Sequence, residues 1–251
     1  MSYIIEKQEK GYLLFTITRS EKRNAINYEV MDGLAEAIKK SMQGDIKALV
    51  ITGDGERAFC SGGDLSVFHS LHTKEEAYLM LSKMSNILYS LLCLPIPTVA
   101  LMSGATVGGG MELATACDFR LARNGVKAGF VQGKQAITTG WGGGSILAEK
   151  LPASFAMKLL MDAELQTAEF LNDRGFIDAL FENDPLKACE EFLDKLLSNE
   201  VNVLRSYKRV WIRKWEETKL RERIEEEVKN CAILWESDAH LEYVQRFLNK
   251  K

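Results

Sequence analysis

The sequence lacks the motifs that mark nucleotide and metal sites. It has three histidines in 251 residues. His69 and His72 stand three apart with no further ligands near them, which argues against a zinc site. No Walker sequence is present, and the segment "GDGERA" (53–58) runs into a second glycine turn instead of opening the helix that a dinucleotide site requires. We therefore expect neither a metal ion nor a nucleotide cofactor.

The chain also has no large net charge and no long uninterrupted apolar run. Its 32 basic and 35 acidic residues give a net charge of −3, too weak a balance for a nucleic-acid partner. The five cysteines are an odd number without a CxxC pair and no signal peptide is evident, so we expect reduced thiols in a cytoplasmic protein. The longest apolar run, "ILYSLLCLPIPTVALM", is broken by Pro95 and Pro97, which argues against a membrane span.

Strand and helix patterns alternate in the first part of the chain. The alternating stretches "GYLLFTITR" and "IKALVITG" predict two strands. The segment between them has helical apolar spacing and a helix start at Asn27. A longer helix is predicted from about Lys74 to Leu92, where the two prolines end it.

The second half is predicted to be increasingly helical. "TVALM" predicts a buried strand, and "DFRLAR" and "VKAGFV" predict two short ones. From Gly143 onward nearly the whole chain has the spacing of helices, and the last fifty residues are amphipathic and highly charged. We expect those charges to face solvent, and the apolar stripe to pack on the body or on a neighbouring subunit. The order indicates an α/β fold with an all-α end.

Two glycine-rich turns, each after an apolar strand-like run, are the strongest chemical signal. They are "AFCSGGDL" (58–65) and "GATVGGGMEL" (104–113). A glycine lets a main-chain N–H approach a ligand, and the first amides of a helix lack internal acceptors. Two such amides directed at one oxygen would form an oxyanion hole. Glu112, one helical turn beyond Gly109, would lie beside it. On spacing alone, both segments could also be ordinary tight turns.

At these residues the sequence resembles the enoyl-CoA hydratase/isomerase (crotonase) family. "RNAIN", "AFCSGGDL", "GATVGGGMELATACDFRLA", "GWGGGSIL" and "TAEFLNDRGFID" follow the order of that family's blocks. The resemblance implies a ββα spiral core, expected here over residues 1–195. A helical region over 196–251 would then serve packing and assembly into trimers or dimers of trimers. It also implies an acyl-CoA substrate, with coenzyme A as part of the substrate and no separate cofactor.

The resemblance also implies roles for individual residues. Gly63 and Gly109 would supply the two amides that stabilise a thioester enolate. Trp141 would close the acyl end of the pocket or simply pack in the core. Asp64 is expected to fix its turn more than to contact substrate, and Cys60 to be a small packed thiol. The expected coenzyme A-binding residues are Arg23, Ala25, Cys60, Ser61, Gly62, Asp64 and Leu65.

One position departs from the family pattern. Hydratases of this family use two glutamates, and the first matches Glu112. Counting without gaps places Gln132 at the second, and a count shifted by two places Lys134 there. The downstream element is altered as well, with Ala136 and Thr139 where glycine and proline are usual. A neutral amide cannot act as a general base, which argues against hydration by paired carboxylates.

Several reactions remain open on this evidence. A hydratase/isomerase-like enzyme could isomerise with one base, or hydrate slowly with Glu112 alone. The segment "FVQGKQAITTGWGG" is similar to the family's ethylmalonyl-CoA decarboxylase-like members, which also lack the second glutamate. In such a decarboxylase Glu112 would protonate or orient, and Gln132 would bind the substrate carboxylate. A non-catalytic acyl-CoA-binding protein is the remaining alternative, although a binder has no need of Glu112.

Overall fold

Ten strands and eleven α-helices make up the part of the chain that the computed structural model describes, residues 1–43 and 45–249. The strands are β1 (Tyr3–Lys7), β2 (Tyr12–Ile17), β3 (Ala48–Gly53), β4 (Ala58–Cys60), β5 (Thr98–Met102), β6 (Ala105–Val107), β7 (Phe119–Arg123), β8 (Lys127–Gly129), β9 (Gln166–Thr167) and β10 (Ala179–Phe181). The helices are α1 (Tyr28–Ser41), α2 (Leu65–Phe68), α3 (Lys74–Leu92), α4 (Gly109–Ala116), α5 (Gly143–Lys150), α6 (Ala153–Asp162), α7 (Ala168–Asp173), α8 (Pro185–Leu197), α9 (Val201–Glu217), α10 (Leu220–Trp235) and α11 (Asp238–Leu248).

The strands form two sheets that the chain visits in turn. The larger sheet has the order β1-β2-β3-β5-β7-β10, and the smaller has the order β4-β6-β8-β9. Each of the pairs β3–β4, β5–β6 and β7–β8 places one strand in each sheet before helices lead to the next pair. This arrangement is the ββα spiral that the resemblance implied.

The larger sheet is covered on both faces, which explains its continuous apolar strands. In β3, Leu49 and Ile51 face the main core, while Ala48 and Val50 face a second cluster. Helix α8 covers that second face. Strands buried on both sides in this way are typical of parallel sheets between helical layers.

Sequence predictions for the early helices and strands are confirmed. The side chain of Asn27 caps α1 by accepting from the Val30 N–H, and α3 spans Lys74–Leu92 as expected. The expectation of an almost entirely helical chain after Gly143 was incomplete, because β9 and β10 are strands. They are only two and three residues long, and each is held by pairing with a distant strand, β8 or β7.

The C-terminal helices pack on the spiral as well as on each other. Helix α10 lies along α3, and its Ile224 and Val228 belong to the main core. Trp215 and Trp235 are buried in the same cluster, whereas Trp211 is exposed. The predicted division of the chain at residue 195 stays a prediction. Among the described residues, no helix has the length and apolar character needed to cross a membrane.

Candidate active site

The two glycine turns lie against each other because their strands are neighbours. Strands β4 and β6 pair in parallel, so their carboxyl ends meet at one edge of the smaller sheet. A Cβ added to Gly62 would lie 3.1 Å from the Gly109 nitrogen and 3.2 Å from the Val107 oxygen. Strand β8 pairs with β6 on its other side and leads to Gln132. The segments that follow β4, β6 and β8 therefore lie together at one edge of the smaller sheet.

The main-chain N–H groups of Gly63 and Gly109 have no protein acceptor within the described residues. Gly63 is held by its neighbours, since Ile26 donates to the Gly62 carbonyl at 2.8 Å and accepts from the Asp64 N–H at 2.9 Å. Gly109 is the first residue of α4, where helical N–H groups have no internal partner. Both glycines line the same cavity.

This cavity has a volume of about 90 Å³, and both apolar and polar groups form its wall. The Trp141 ring forms part of the wall and is 4% exposed. A Cβ on Gly109 would lie only 2.2 Å from Trp141 Cζ3, and one on Gly63 would lie 3.6 Å from Trp141 Cζ2. Trp141 therefore both lines the cavity and packs on the two turns, and glycine at 109 is required by its ring. Wall residues that were not identified from the sequence are Phe68, Met80, Leu81, Gly108, Gln135, Ile137, Thr138, Gly140, Cys231 and Trp235.

Glu112 is buried in this wall and accepts four hydrogen bonds. The N–H groups of Trp141 and Gly143 donate to Oε2 at 2.8 and 2.9 Å. The Gly140 N–H donates to Oε1 at 3.3 Å. The pKa of Glu112 is raised to about 7, first by burial and then by the charge of Glu227, while the three main-chain donors oppose the rise. The carboxyl group is therefore suited to exchange a proton near neutral pH.

The fourth donor to Glu112 is Gln132. Its Nε2 donates to Glu112 Oε1 at 3.0 Å, and its own buried Oε1 has no hydrogen-bond partner among the described residues. Lys134, which the shifted count placed at this position, does not line the cavity. Its ammonium group pairs with Glu164 at 2.7 Å on the surface, because the intervening turn directs it away from the cavity.

The seven expected coenzyme A-binding residues divide into three groups. Ser61, Gly62 and Leu65 line the cavity. Arg23 and Ala25 lie outside it, next to the first glycine turn: the Arg23 carbonyl accepts from the Ser61 N–H at 3.1 Å. The Arg23 side chain is exposed, and Ala25 is buried.

The third group is Asp64 and Cys60, whose side chains are engaged in contacts within the protein. Asp64 caps α2, accepts from the Ser66 hydroxyl at 2.6 Å and pairs with Arg19 at 2.6 Å, so it holds its own turn. The Cys60 side chain is fully buried and does not line the cavity, and burial raises the pKa of its thiol to about 12. Its inclusion as a ligand contact is not supported, because the thiol packs under the turn.

A second carboxylate, Glu227 of α10, lies near Glu112 and was missed by the sequence analysis. It accepts from the N–H groups of Gly144 and Ser145 at 3.0 and 2.7 Å. Thr139, one of the departures from the family pattern, donates its hydroxyl to Glu227 at 2.6 Å. No local motif marks Glu227, which is one of many glutamates on a charged helix.

Among the described residues, no three histidine, cysteine or acidic side chains come together as a metal site would need.

The chain is similar in sequence to proteins of one known family. The family model described as "Enoyl-CoA hydratase/isomerase" matches residues 7–251. An ethylmalonyl-CoA decarboxylase from Rattus norvegicus is 32% identical over 248 residues, which cover 96% of this chain and 82% of that protein. A mitochondrial methylglutaconyl-CoA hydratase from Mus musculus is 29% identical over 182 residues, covering 72% of this chain and 57% of that protein.

The fold is similar to that of solved structures with the same family name. An enoyl-CoA hydratase from Bacillus halodurans superimposes with a TM-score of 0.88 at 23% identity, covering 98% of this chain and 100% of the other. The structural similarity establishes the fold, and the match to the family model establishes family membership. The chain belongs to the enoyl-CoA hydratase/isomerase (crotonase) family of enzymes that act on acyl-CoA thioesters.

Proposed function

We propose that the protein decarboxylates a malonyl-type acyl-CoA, a thioester with a second carboxylate on C2. The observation that carries the proposal is the pairing of Glu112 with Gln132. Within the described lining of the cavity, Glu112 is the one acidic side chain, and an amide stands where hydration by two carboxylates would need the second. Decarboxylation needs a stabilised enolate and a proton donor, but no second base.

The first step of the proposed reaction uses the two glycine turns. The bond between C2 and the substrate carboxylate breaks, carbon dioxide leaves, and the electron pair forms an enolate whose charge rests on the thioester oxygen. The Gly63 and Gly109 amides would donate to that oxygen. One such donor in an oxyanion hole contributes roughly 2.7–4 kcal/mol to the transition state.

The second step uses the proton on Glu112. The carboxylic acid would protonate C2 to give the shortened acyl-CoA, and the resulting carboxylate would regain a proton from solvent. A pKa of about 7 keeps a large fraction of Glu112 protonated at neutral pH. A neutral Glu112 also allows a negatively charged substrate to enter, whereas an anionic one would repel it.

The apolar side chains of the wall would favour the loss of carbon dioxide. Phe68, Trp141 and Trp235 line the cavity, and its described lining includes no lysine or arginine that could stabilise a carboxylate. Transfer of a carboxylate into such surroundings is costly, whereas carbon dioxide is uncharged. Sequence similarity also supports decarboxylation as the reaction, since ethylmalonyl-CoA decarboxylases from rat and cattle are 32% and 30% identical to the chain.

Incubation with ethylmalonyl-CoA, methylmalonyl-CoA and crotonyl-CoA would test the proposal, with products followed by mass spectrometry. We expect carbon dioxide release from a malonyl-type substrate and, in D₂O, one deuterium at C2 of the product. Glu112→Gln should retain acyl-CoA affinity and lose turnover. Binding without turnover of any of these substrates by the native protein would reject the enzyme and favour the acyl-CoA-binding alternative.

Hydration or isomerisation with Glu112 alone is the second candidate. It is supported by the 29% identity to a methylglutaconyl-CoA hydratase and by the retained Glu112. Hydroxyacyl-CoA formed from crotonyl-CoA, at a rate above that of malonyl-type decarboxylation, would favour this candidate over the first.

Further expectations concern coenzyme A, assembly and location. We propose that the exposed Arg23 beside Ser61 contacts the phosphates of coenzyme A, so Arg23→Ala should raise KM without changing kcat.

We also propose that the protein assembles as trimers or dimers of trimers, which light scattering would test. A cytoplasmic location is proposed from the five free thiols.

A further inference from the structure

Two carboxylates divide the hydrogen-bond donors of one short segment between them. In residues 139–145, the N–H groups of Gly140, Trp141 and Gly143 donate to Glu112. The Thr139 hydroxyl and the N–H groups of Gly144 and Ser145 donate to Glu227. The segment includes the amino end of α5, where unpaired amides and the helix dipole favour negative charge.

The glycines of this segment allow the close approach of both carboxylates. A Cβ on Gly143 would lie 2.4 Å from Glu112 Cγ, and one on Gly144 would lie 3.2 Å from Glu227 Oε1. Gly142 has a φ of +91°, and a Cβ there would lie 2.6 Å from Ile224 of α10. The segment is therefore shaped to fit between α4, which presents Glu112, and α10, which presents Glu227.

We propose that Glu227 is a positioning residue that fixes residues 139–145 around Glu112 and, through its negative charge, keeps a proton on Glu112. Glu227 does not line the cavity, so it acts through Glu112 rather than on substrate. The catalytic consequence, that Glu112 serves as an acid, rests on the proposed function. The effect on proton affinity does not depend on it.

The charges around the pair leave Glu227 as the main charged influence on Glu112, second to burial. On α10, Arg223 is directed at Glu149 at 2.6 Å, and Lys229 at Glu225 and Glu226 at 3.1 and 3.2 Å. Lys219, at the start of α10, lies 3.5 Å from Glu222.

The remaining titratable group near Glu112 is the Cys231 thiol, also from α10. Burial and the charge of Glu112 raise the pKa of this thiol, so it stays neutral. Gln132, on the segment that follows β8, is uncharged. A like charge close to a buried carboxyl group raises the pKa of that group.

Gln132 allows Glu112 to hold either protonation state. Its Nε2 donates to the carboxylate, and after rotation of the amide its unpartnered Oε1 could accept from the carboxylic acid. A residue with this dual capacity suits a carboxyl group that gains and loses a proton in each turnover.

The decisive experiment compares Glu227→Gln with Glu225→Gln, a matched change at an exposed position on the same helix. The pKa of Glu112 is measured in the free protein by NMR of glutamate side chains labelled with ¹³C at Cδ, with the Glu112 signal assigned by Glu112→Gln. We expect Glu227→Gln to lower this pKa by about one pH unit. Glu225→Gln and the charge-retaining Glu227→Asp should leave it close to the native value.

The pH profile of decarboxylation provides a second measurement. If Glu112 is the acid, the loss of kcat/KM at high pH should shift to lower pH in Glu227→Gln by the same amount as the NMR value. A folded Glu227→Gln protein with an unchanged Glu112 pKa would overturn the proposal. So would a native Glu112 that ionises near its ordinary pKa of about 4.3, a result that needs no variant. A shifted pKa without any carbon dioxide release would reject only the proposed function.

Discussion

Gln132 donates a hydrogen bond to Glu112 over 3.0 Å, at the position where a second carboxylate would be needed for hydration by an acid–base pair. The two residues come from the carboxyl ends of β6 and β8, which are neighbours in the smaller sheet. Their contact therefore follows from strand order. It leaves Glu112 as the one carboxyl group in the described lining of the cavity.

Replacing the amide by a carboxylate should change the reaction. Gln132→Glu places a second acid within hydrogen-bonding distance of Glu112, and the two would share a proton because both cannot easily be charged. We expect carbon dioxide release to fall and hydration of crotonyl-CoA to become measurable, because general acid–base catalysis by a positioned group contributes about 10²- to 10⁴-fold. Gln132→Met, which can neither donate nor accept, should lose activity without gaining hydration. Unchanged decarboxylation in Gln132→Glu would contradict the assignment.

Stability should depend on pH through Glu112. Its pKa is about 7 in the folded protein, above the ordinary value, so the folded state holds a proton that the unfolded chain has already lost. The associated stability is complete below about pH 4.3 and disappears as the pH rises through 7. Glu112→Gln removes this titration. Measured by urea unfolding, the native protein should lose roughly 3 kcal/mol relative to Glu112→Gln between pH 4 and 8. A constant difference across that range would show that Glu112 titrates normally.

Gly63 and Gly109 should differ in their tolerance of alanine. Both substitutions keep the N–H group, but Gly109→Ala places its Cβ 2.2 Å from Trp141, whereas Gly63→Ala places it 3.2 Å from the Phe68 ring. We expect Gly109→Ala to lower the free energy of unfolding by about 1–3 kcal/mol through overpacking and to lose most turnover. Gly63→Ala should stay folded with a smaller change, and Trp141→Leu should restore stability to Gly109→Ala. Equal effects of the two alanines would contradict this account.

Phe68 should limit the length of the acyl substituent. It lies in the wall between the cavity of about 90 Å³ and a second one of about 190 Å³ that is also lined by His240 and Val244. Phe68→Leu should widen the passage and raise kcat/KM for a longer 2-alkyl substrate relative to the ethyl one by about tenfold. Phe176→Leu, the same change at a buried position outside both cavities, should leave the preference unaltered. Competition between the two substrates, followed by mass spectrometry, measures the ratio, and the same ratio in both variants would reject the role.

A buried ion pair should anchor α9 to the larger sheet. Lys208 of α9 pairs with Asp118, whose other oxygen accepts from the N–H and hydroxyl of Thr98 at 2.9 and 3.0 Å. Lys208→Met would leave this carboxylate without its ammonium partner and should lower the free energy of unfolding by about 3 kcal/mol. Lys214→Met, which removes a half-exposed partner of Glu149, should cost less than about 1 kcal/mol. Urea unfolding at neutral pH measures both, and equal losses would contradict the anchoring role.

Much of the fold was visible in local sequence patterns. The helix α3 begins where Thr73 and Glu76 form a capping box and ends just before Pro95, so its bounds were predictable. The short strand β10 was missed because three residues carry almost no periodic signal. It exists through its parallel pairing with β7, far away in the chain.

The candidate site was only partly visible in the same way. Glu112 and the two glycine turns stand in recognisable blocks, and Gln132 was found by counting from them. Lys134 could not be excluded by counting, because only the direction of the turn after β8 places its side chain on the surface. Glu227 had no signal at all among the glutamates of α10.

The sequence alone determined the elements that depend on neighbours in the chain: the capped helices, the glycine turns and the carboxyl group one helical turn beyond the second. Tertiary structure decided which surroundings that carboxyl group has. Helix α10 brings Glu227, Cys231 and Trp235 to the site from more than a hundred residues away. The proton affinity of a buried acid depends on burial and on charges nearby in space, so it is set by packing and not by the order of residues around Glu112.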